Sequence, residues 1–441
     1  MHFGSGGERP PRQRADEHPL SGKRVYLPPM AYGSARLFAS ALRSLGVDAA
    51  LTPPSNARTR ELGAQFTSGD ECFPAKVTVG DFMRVLEQPD ADPARTVFFM
   101  PTADGPCRFG QYAAYMRRLL DSHGFPQVEV LSPTSRNAYG GLGSLARPFV
   151  RTAWRALVAA DILQKLLLQH RPYERRIGAA DAAFEECLSE VCGALESGPS
   201  APAEQLRRLR AALVRCRMRF IGLDTRPDPT RPLIGVVGEI FCRLNTFSNE
   251  DAVRRLEQAG AEVWLSGITE WIWYTVSEQY RKLRLHGKIV SVETASTWIR
   301  EKVQHHDEQV LLEPFRSDFA GYEEPEVDEV VEVARPYLPQ DGALGEMVLN
   351  VGRAIRLAAR GVDGIIDISP FTCMNGIVCE AVYPLVSRNL NGLPIRTLYF
   401  DGTPQDLESD LSVYLDLARS YQQRKKVPRP LVAPLSRWRP A

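Results

Sequence analysis

Short runs of β-branched and aromatic residues alternate with longer stretches whose apolar positions recur every three or four residues, and the alternation repeats along most of the chain. Arg24 to Leu27 reads as a strand and Ser34 to Leu45 as a helix that Gly46 ends. A strand over Val47 to Leu51, a helix over Val77 to Leu86 and a buried strand over Thr96 to Met100 follow. A helix over Phe109 to His123, closed by Gly124, and a strand over Val128 to Leu131 complete the series. This rhythm predicts a parallel, doubly wound sheet over residues 23–142. Over 143–228 the strands disappear. Trp154, Leu157, Val158 and Ile162 mark one helical stripe and Leu206, Leu209, Leu213, Cys216 and Phe220 another, with Ser197 to Pro202 as a linker between helices. The βαβ rhythm restarts at Pro232 to Gly238. It continues through a helix over Asn249 to Gly260, a strand over Glu262 to Leu265, a helix over Leu344 to Gly361, a strand over Gly364 to Ile368, a helix over Gly376 to Asn389 and a strand over Ile395 to Phe400.

The expected fold class is therefore α/β: two doubly wound, flavodoxin-like parallel-sheet domains, 23–142 and 229–421, with a helical segment at 143–228 between them. The ends fall outside the pattern. Residues 1–22 offer almost no apolar surface and read as a disordered tail, and 422–441 reads as a basic, Pro-containing, solvated tail.

Composition narrows the partners. With 441 residues, 44% hydrophobic content, 24% charge and a formal net charge of +1, the chain is an ordinary globular one with no electrostatic reason to bind nucleic acid. Met1 to Ser21 lacks the apolar core of a secretory signal, and the apolar helix around Ala153 to Leu168 carries Asp161 and Lys165 and is short for a bilayer, so no membrane segment is expected. Eight cysteines without framework spacing point to reduced thiols or metal ligands in a cytoplasm rather than to disulfides.

The cysteines divide by setting. Cys187, Cys192 and Cys216 lie on apolar helical stripes and read as core. Cys379, inside a helix, reads as core or as a neighbour of ligands, and Cys242, just after a strand, as a packed thiol or an extra ligand. Cys72, Cys107 and Cys373 differ. Each stands in a Pro- or Gly-containing loop immediately before a predicted helix, where free amides and the helix dipole favour a thiolate. Cys373 also follows the strand Gly364 to Ile368, at the crevice edge of its sheet, where ligands bind in such folds. Their separations match no compact cluster signature, so spacing alone leaves open whether they bind one metal group jointly. Lys76 and Arg108 adjoin two of these loops as candidate counter-charges, or as ordinary surface cations. Glu71 and Glu380 flank the thiols as candidate acids or as helix N-terminal acids. His305 and His306 read as part of a solvated helix face, and Glu270 to Tyr274 as a packing segment near the second crevice.

Five stretches in this order carry a resemblance: Gly69-Asp70-Glu71-Cys72-Phe73-Pro74-Ala75-Lys76, Gly105-Pro106-Cys107-Arg108-Phe109-Gly110-Gln111-Tyr112, Arg171-Pro172-Tyr173-Glu174, Gly238-Glu239-Ile240 with Asn249, and Pro370-Phe371-Thr372-Cys373-Met374-Asn375-Gly376. Together they resemble the 2-hydroxyacyl-CoA dehydratase superfamily, most closely its activase-associated branch. Asn375 departs from the pattern, in which proline is usual after Cys-Met. The resemblance implies an oxygen-sensitive 4Fe-4S cluster held by Cys72, Cys107 and Cys373 between the α/β domains, with one iron free of protein ligands. It also implies a separate ATP-hydrolysing activator that supplies a low-potential electron. A dehydratase or reductase component acting on an acyl-CoA follows as the expected class, with a second copy or a related subunit as further partner. The chain fits the electron-receiving side of that pair: no Gly-x-x-x-x-Gly-Lys-Ser/Thr loop is present and Gly140-Gly141-Leu142-Gly143 has the wrong context for a dinucleotide fingerprint, so nothing positive points to ATP binding, although other ATPase folds are not excluded by this. The alternatives are a double-cubane reductase of small molecules, a cluster-free scaffold or regulatory subunit, and a zinc-stabilised protein. The double cubane needs three further thiols, for which Cys242, Cys379 and one stripe cysteine are a poor supply.

Overall fold

The computed structural model describes residues 18–102, 107–134, 141–198, 201–226, 228–287, 290–340 and 345–430. The expectations for residues 1–17, Asp104 to Pro106, Gly140, Pro199 and Ser200, Leu344, and 431–441 lie outside the described residues.

The first unit runs β1 (Arg24–Leu27), α1 (Tyr32–Arg43), β2 (Asp48–Leu51), α2 (Ala57–Phe66), α3 (Phe73–Leu86), β3 (Thr96–Phe99), α4 (Tyr112–Ser122) and β4 (Glu129–Leu131). Its four strands are all parallel in the order β2-β1-β3-β4. Because side chains alternate across a strand, Val25, Leu27, Val97 and Phe99 pack on one face, toward α1. Tyr26 and Phe98 pack on the other, against α2, α3 and α4, where Phe82 stacks on Phe98. Helices thus cover both faces, as a sheet of β-branched and aromatic runs requires.

Three helices follow: α5 (Ala146–His170), α6 (Ala179–Glu196) and α7 (Pro202–Ile221). The second unit then runs β5 (Leu233–Gly238), α8 (Ile240–Leu244), α9 (Ala252–Gln258), β6 (Glu262–Leu265), α10 (Ile268–Leu285), α11 (Val292–Leu312), α12 (Val327–Ala334), α13 (Met347–Ala359), β7 (Gly364–Pro370), α14 (Met374–Asn389), β8 (Ile395–Phe400) and α15 (Leu407–Arg424). Its strands are parallel in the order β6-β5-β7-β8, the same order as the first sheet. Leu233, Val237 and Ile365 face α12 and α13, while Ile234, Val236, Ile366 and Ile368 face α9 and α15. The two-domain, doubly wound α/β fold predicted from the strand rhythm is the fold observed.

Three local expectations need correction. The helical layer is assembled from both halves of the chain: the core of α5, α6 and α7, which contains Cys187, Cys192 and Cys216, also takes in Leu311 of α11 and the following Phe315 and Phe319. The stretch around His305 is accordingly solvated on one side only, where Lys302, His306 and Gln309 are exposed. His305 stacks on Trp273 with ring centroids 4.0 Å apart, and the buried Asp307 holds Arg155 at 2.7 Å and Arg151 at 2.8 Å. At the two ends, order extends further than composition suggests. Leu20 is buried with Val25 and Ala153, because the turn at His18 to Gly22 folds it onto the sheet. After α15, Lys425 pairs with the buried Asp363 at 2.6 Å, and Arg429 pairs with Glu262, which also receives the hydroxyls of Tyr173 and Tyr322. A charged segment reads as solvated unless its buried partners are known, and those lie far away in sequence.

Candidate functional site

In each sheet the connections run to opposite sides at one point, between β1 and β3 in the first and between β5 and β7 in the second, and the crevice beyond the strand ends there is the place such folds bind ligands. The two crevices open onto one cavity of about 1220 Å³, lined from the first unit by Pro28, Met100, Cys72, Cys107, Arg108 and Tyr112, and from the second by Glu239, Ile240, Glu346, Thr372, Cys373 and Asn375. Helix α10 supplies another wall with Trp271, Ile272, Tyr274 and Lys282.

All three cysteines singled out in the sequence reach this cavity, and each stands at a helix start. Cys72 is the N-cap of α3, with Pro74 in the first turn. Cys107 caps the 3₁₀ turn Arg108–Gln111 that leads into α4, and Cys373 is the N-cap of α14. Proline at a helix start sacrifices no hydrogen bond, which is why Phe73-Pro74 begins a helix rather than breaking one. Arg108 ties the loops together: its Nη1 donates to the carbonyl of Asp70 at 2.8 Å, and its Nη2 to the carbonyl and hydroxyl oxygens of Thr372 at 2.9 and 3.2 Å. One guanidinium beside Cys107 therefore fixes backbone next to both Cys72 and Cys373. Thr372 holds φ of 64°, a left-handed conformation costly for a β-branched residue, and the turn places Cys373 behind Pro370.

The helix starts do not by themselves make thiolates, contrary to the expectation from position alone. Burial pushes all three thiols up from their ordinary range, and Cys373, reinforced by the nearby Glu239, reaches about 12. The amides of Ala75, Phe109, Asn375 and Gly376 act in the opposite direction, favouring the anion. Desolvation is the larger effect on each thiol. The hydroxyl of Tyr112 is hydrogen-bonded to the sulfur of Cys72.

Other sequence candidates separate clearly. Cys242 and Cys379 are fully buried and line no part of the cavity; the Cys379 thiol points to the carbonyl of Met347 at 3.6 Å. Lys76 donates to the Gly69 carbonyl at 3.0 Å and steadies the Cys72 loop from outside. Glu71 accepts from Ser68 and from the Gly69 amide, which hold it below the ordinary carboxylate range despite partial burial, and Glu380 accepts from the Tyr399 hydroxyl at 2.7 Å. Neither lines the cavity. The segment Glu270 to Tyr274 does reach it, through Trp271, Ile272 and Tyr274.

Glu346 carried no signal in the sequence, where it looks like any acid before a helix, and Glu239 stood out only within the Gly238-Glu239-Ile240 resemblance. Gly238 explains the latter's position. At φ of 121° it turns β5 against β7 so closely that a Cβ would lie 2.1 Å from the Ile368 carbonyl oxygen, and only glycine lets the next residue face the crevice.

Among the described residues no group of three or more His, Cys, Asp or Glu side chains is disposed to hold one metal ion. The three thiols reach the cavity on separate loops with backbone amides beside them, and the thiolates of a cubane would each hold a different iron. No protein-family model matches the chain, and no curated protein matches it significantly. No helix among the described residues is long and apolar enough to cross a membrane.

Proposed function

We propose that the chain is an iron–sulfur redox protein, holding a 4Fe-4S cluster through Cys72, Cys107 and Cys373, that receives low-potential electrons from an ATP-hydrolysing activator in the cytoplasm and passes them to a molecule bound in the cavity. The observation that carries the reading is that these three loop cysteines, from both α/β units, reach one cavity under the common restraint of Arg108. When bound, such a cluster supplies one-electron chemistry and, with three protein ligands, one iron open to exchange. The chain's own residues supply the rest. Arg108 keeps the three loops in register, the amides at the helix starts donate toward the sulfurs, and the apolar walls from Met100, Trp271 and Ile272 limit water. The resemblance in sequence supports an acyl-CoA as the class of substrate and a second copy or a related subunit as partner. The double-cubane alternative is weakened by the buried, packed settings of Cys242 and Cys379, which give it no further thiols on the cavity.

The test is iron and acid-labile sulfide per chain in anaerobically purified protein, with electron paramagnetic resonance after reduction. About four irons are expected, lost in Cys72→Ser, Cys107→Ser and Cys373→Ser alike and kept in Cys242→Ser. Iron near zero in a folded, anaerobically reconstituted protein would sink the reading, and zinc in its place would make the site structural.

A further inference from the structure

Helix α10 lines the cavity from Trp271 to Lys282, about 16 Å along its axis. Tyr274 stands near the cysteines: its hydroxyl donates to the Gly345 carbonyl at 2.9 Å, and Gly345 abuts Asn375, which follows Cys373 closely in the chain. Lys282 lies about 12 Å further along the helix. There α11 adds Arg300 and Gln304, one helical turn apart and so on one face.

Of the cations that line the cavity, Arg108 is spent on the backbone of Asp70 and Thr372. Lys282 and Arg300 have no carboxylate within ion-pair distance among the described residues. The neighbouring acids are engaged elsewhere, Glu278 with Arg281 at 3.1 Å and Glu301 with the Tyr280 hydroxyl at 2.6 Å. Gln279 accepts from Nη2 of Arg300 at 2.9 Å, which holds the guanidinium beside Lys282, one turn on from Gln279.

A second observation points to a ligand at the same wall. Gln304 is 8% exposed and lines the cavity, yet its Oε1 has no hydrogen-bond partner. Trp154 donates to the Gln304 carbonyl at 3.0 Å and fixes that turn of α11 in place. A buried amide oxygen without a donor costs free energy that a bound O–H or N–H would recover. Much of the remaining wall is apolar, with Phe38, Phe99, Met100, Leu157, Ile272 and Val276.

We propose that α10 and α11 form a head-group site for a molecule carrying one compact anionic group, a carboxylate or a phosphate ester, on an apolar body of medium length. Lys282 and Arg300 hold the charge, Gln304 accepts an O–H or N–H on or beside that group, and the body lies along the apolar wall toward the cysteines. Two cations match one such group and not the several phosphates of coenzyme A, so a free acid or simple ester, rather than its CoA thioester, is the form that fits. This deepens the redox reading by naming the class of molecule that shares the cavity; it rests on that reading for the reaction and not for the binding.

The experiment is titration calorimetry on full-length, iron-free protein with decyl phosphate, N-octanoylglycine, decanoate, 1-decanol and coenzyme A, each below its micellar concentration. Decyl phosphate and N-octanoylglycine, which pair an anion with an O–H or N–H, should bind more tightly than decanoate, and decanoate more tightly than 1-decanol. Lys282→Ala and Arg300→Ala, at half-buried positions, should each weaken the acids about tenfold or more and leave 1-decanol unchanged. Gln304→Leu should remove the advantage over decanoate; should it not fold, the two cation variants still decide. Preference for the phosphate identifies a phosphate ester and preference for the acylglycine a carboxylate, and either supports the site. Acid affinities unchanged in both K282A and R300A, 1-decanol binding as tightly as the acids, or coenzyme A binding more tightly than any of them overturns it. Iron is measured on the same preparations after reconstitution. Protein that binds the acids but takes up no iron keeps this site and loses the cluster reading, whereas iron-loaded protein that binds none of them loses this site alone.

Discussion

At the residue scale, the site opposes two electrostatic effects on each cysteine. The helix-start amides favour thiolate, burial favours thiol, and burial is the larger. Metal coordination must then displace protons, so loading the iron-free protein at pH 7 to 8 is expected to release roughly one proton per ligating cysteine, and affinity should rise steeply with pH. Proton release measured in weak buffer checks this. Release unchanged in C373S, whose missing thiol starts from about 12, would contradict it. Glu346 gives a second prediction, in stability. Its folded value of about 8 lies above the ordinary 4.5, so between those values the native state binds more protons than the unfolded one. Stability therefore falls as pH rises from about 4.5 to 8 and levels above. E346Q lacks this fall, and in iron-free protein its stability relative to wild type should climb across that window in urea melts. The cysteines were legible because a thiol in a Pro- or Gly-bounded loop ahead of a helix stands out from apolar stripes. Glu346, Asp307 and Arg429 were not, since what distinguishes each is a partner or a cavity brought to it only by folding.

At the scale of elements, strands were the most legible feature. Runs such as Thr96 to Phe99 and Gly364 to Ile368 are β-branched- and aromatic-rich and buried along their whole length, Asp367 included, because both faces of these sheets are covered, and few other structures want that pattern. Helix α2 escaped notice, for Ala57–Phe66 buries only Thr59, Leu62 and Gly63 and so lacks an apolar stripe. What it has instead is close backbone contact with α3. A Cβ on Gly80 would lie 1.9 Å from the Thr59 carbonyl oxygen, and one on Gly63 would lie 2.3 Å from that of Lys76. Backbone cannot yield as a side chain does, so Gly80→Ala should cost about 1–3 kcal/mol as the helices part. Because α3 begins at Cys72, the same substitution should also lower iron content while helix content by circular dichroism is kept. A G80A protein as stable and as iron-rich as wild type would show that α3 shifts without disturbing the cysteine.

At the scale of the whole molecule, the site exists only where the two α/β units meet. Phe73, at the head of α3, packs into the second unit's core with Ile368 and Phe400, Arg60 donates to the Gly402 carbonyl at 2.7 Å, and Asn245 donates to that of Pro29 at 3.0 Å. Cys72 and Cys107 come from one side of this junction and Cys373 from the other, so a metal group bound by all three is a cross-link between domains. Anything that binds the native arrangement and not the unfolded chain stabilises it; at a hundredfold excess over its dissociation constant the gain is about 2.7 kcal/mol. Reconstitution should therefore raise the melting temperature by several degrees and merge the unfolding of the two units into one calorimetric transition. C373S should lose that increment in full although two of the thiols remain on the first unit, and C72S should lose it equally. The comparison separates a shared site from a local one. If C373S kept the whole rise while C72S lost it, the metal would be held within the first unit, and the second unit's cavity wall would have to be explained by the ligand alone.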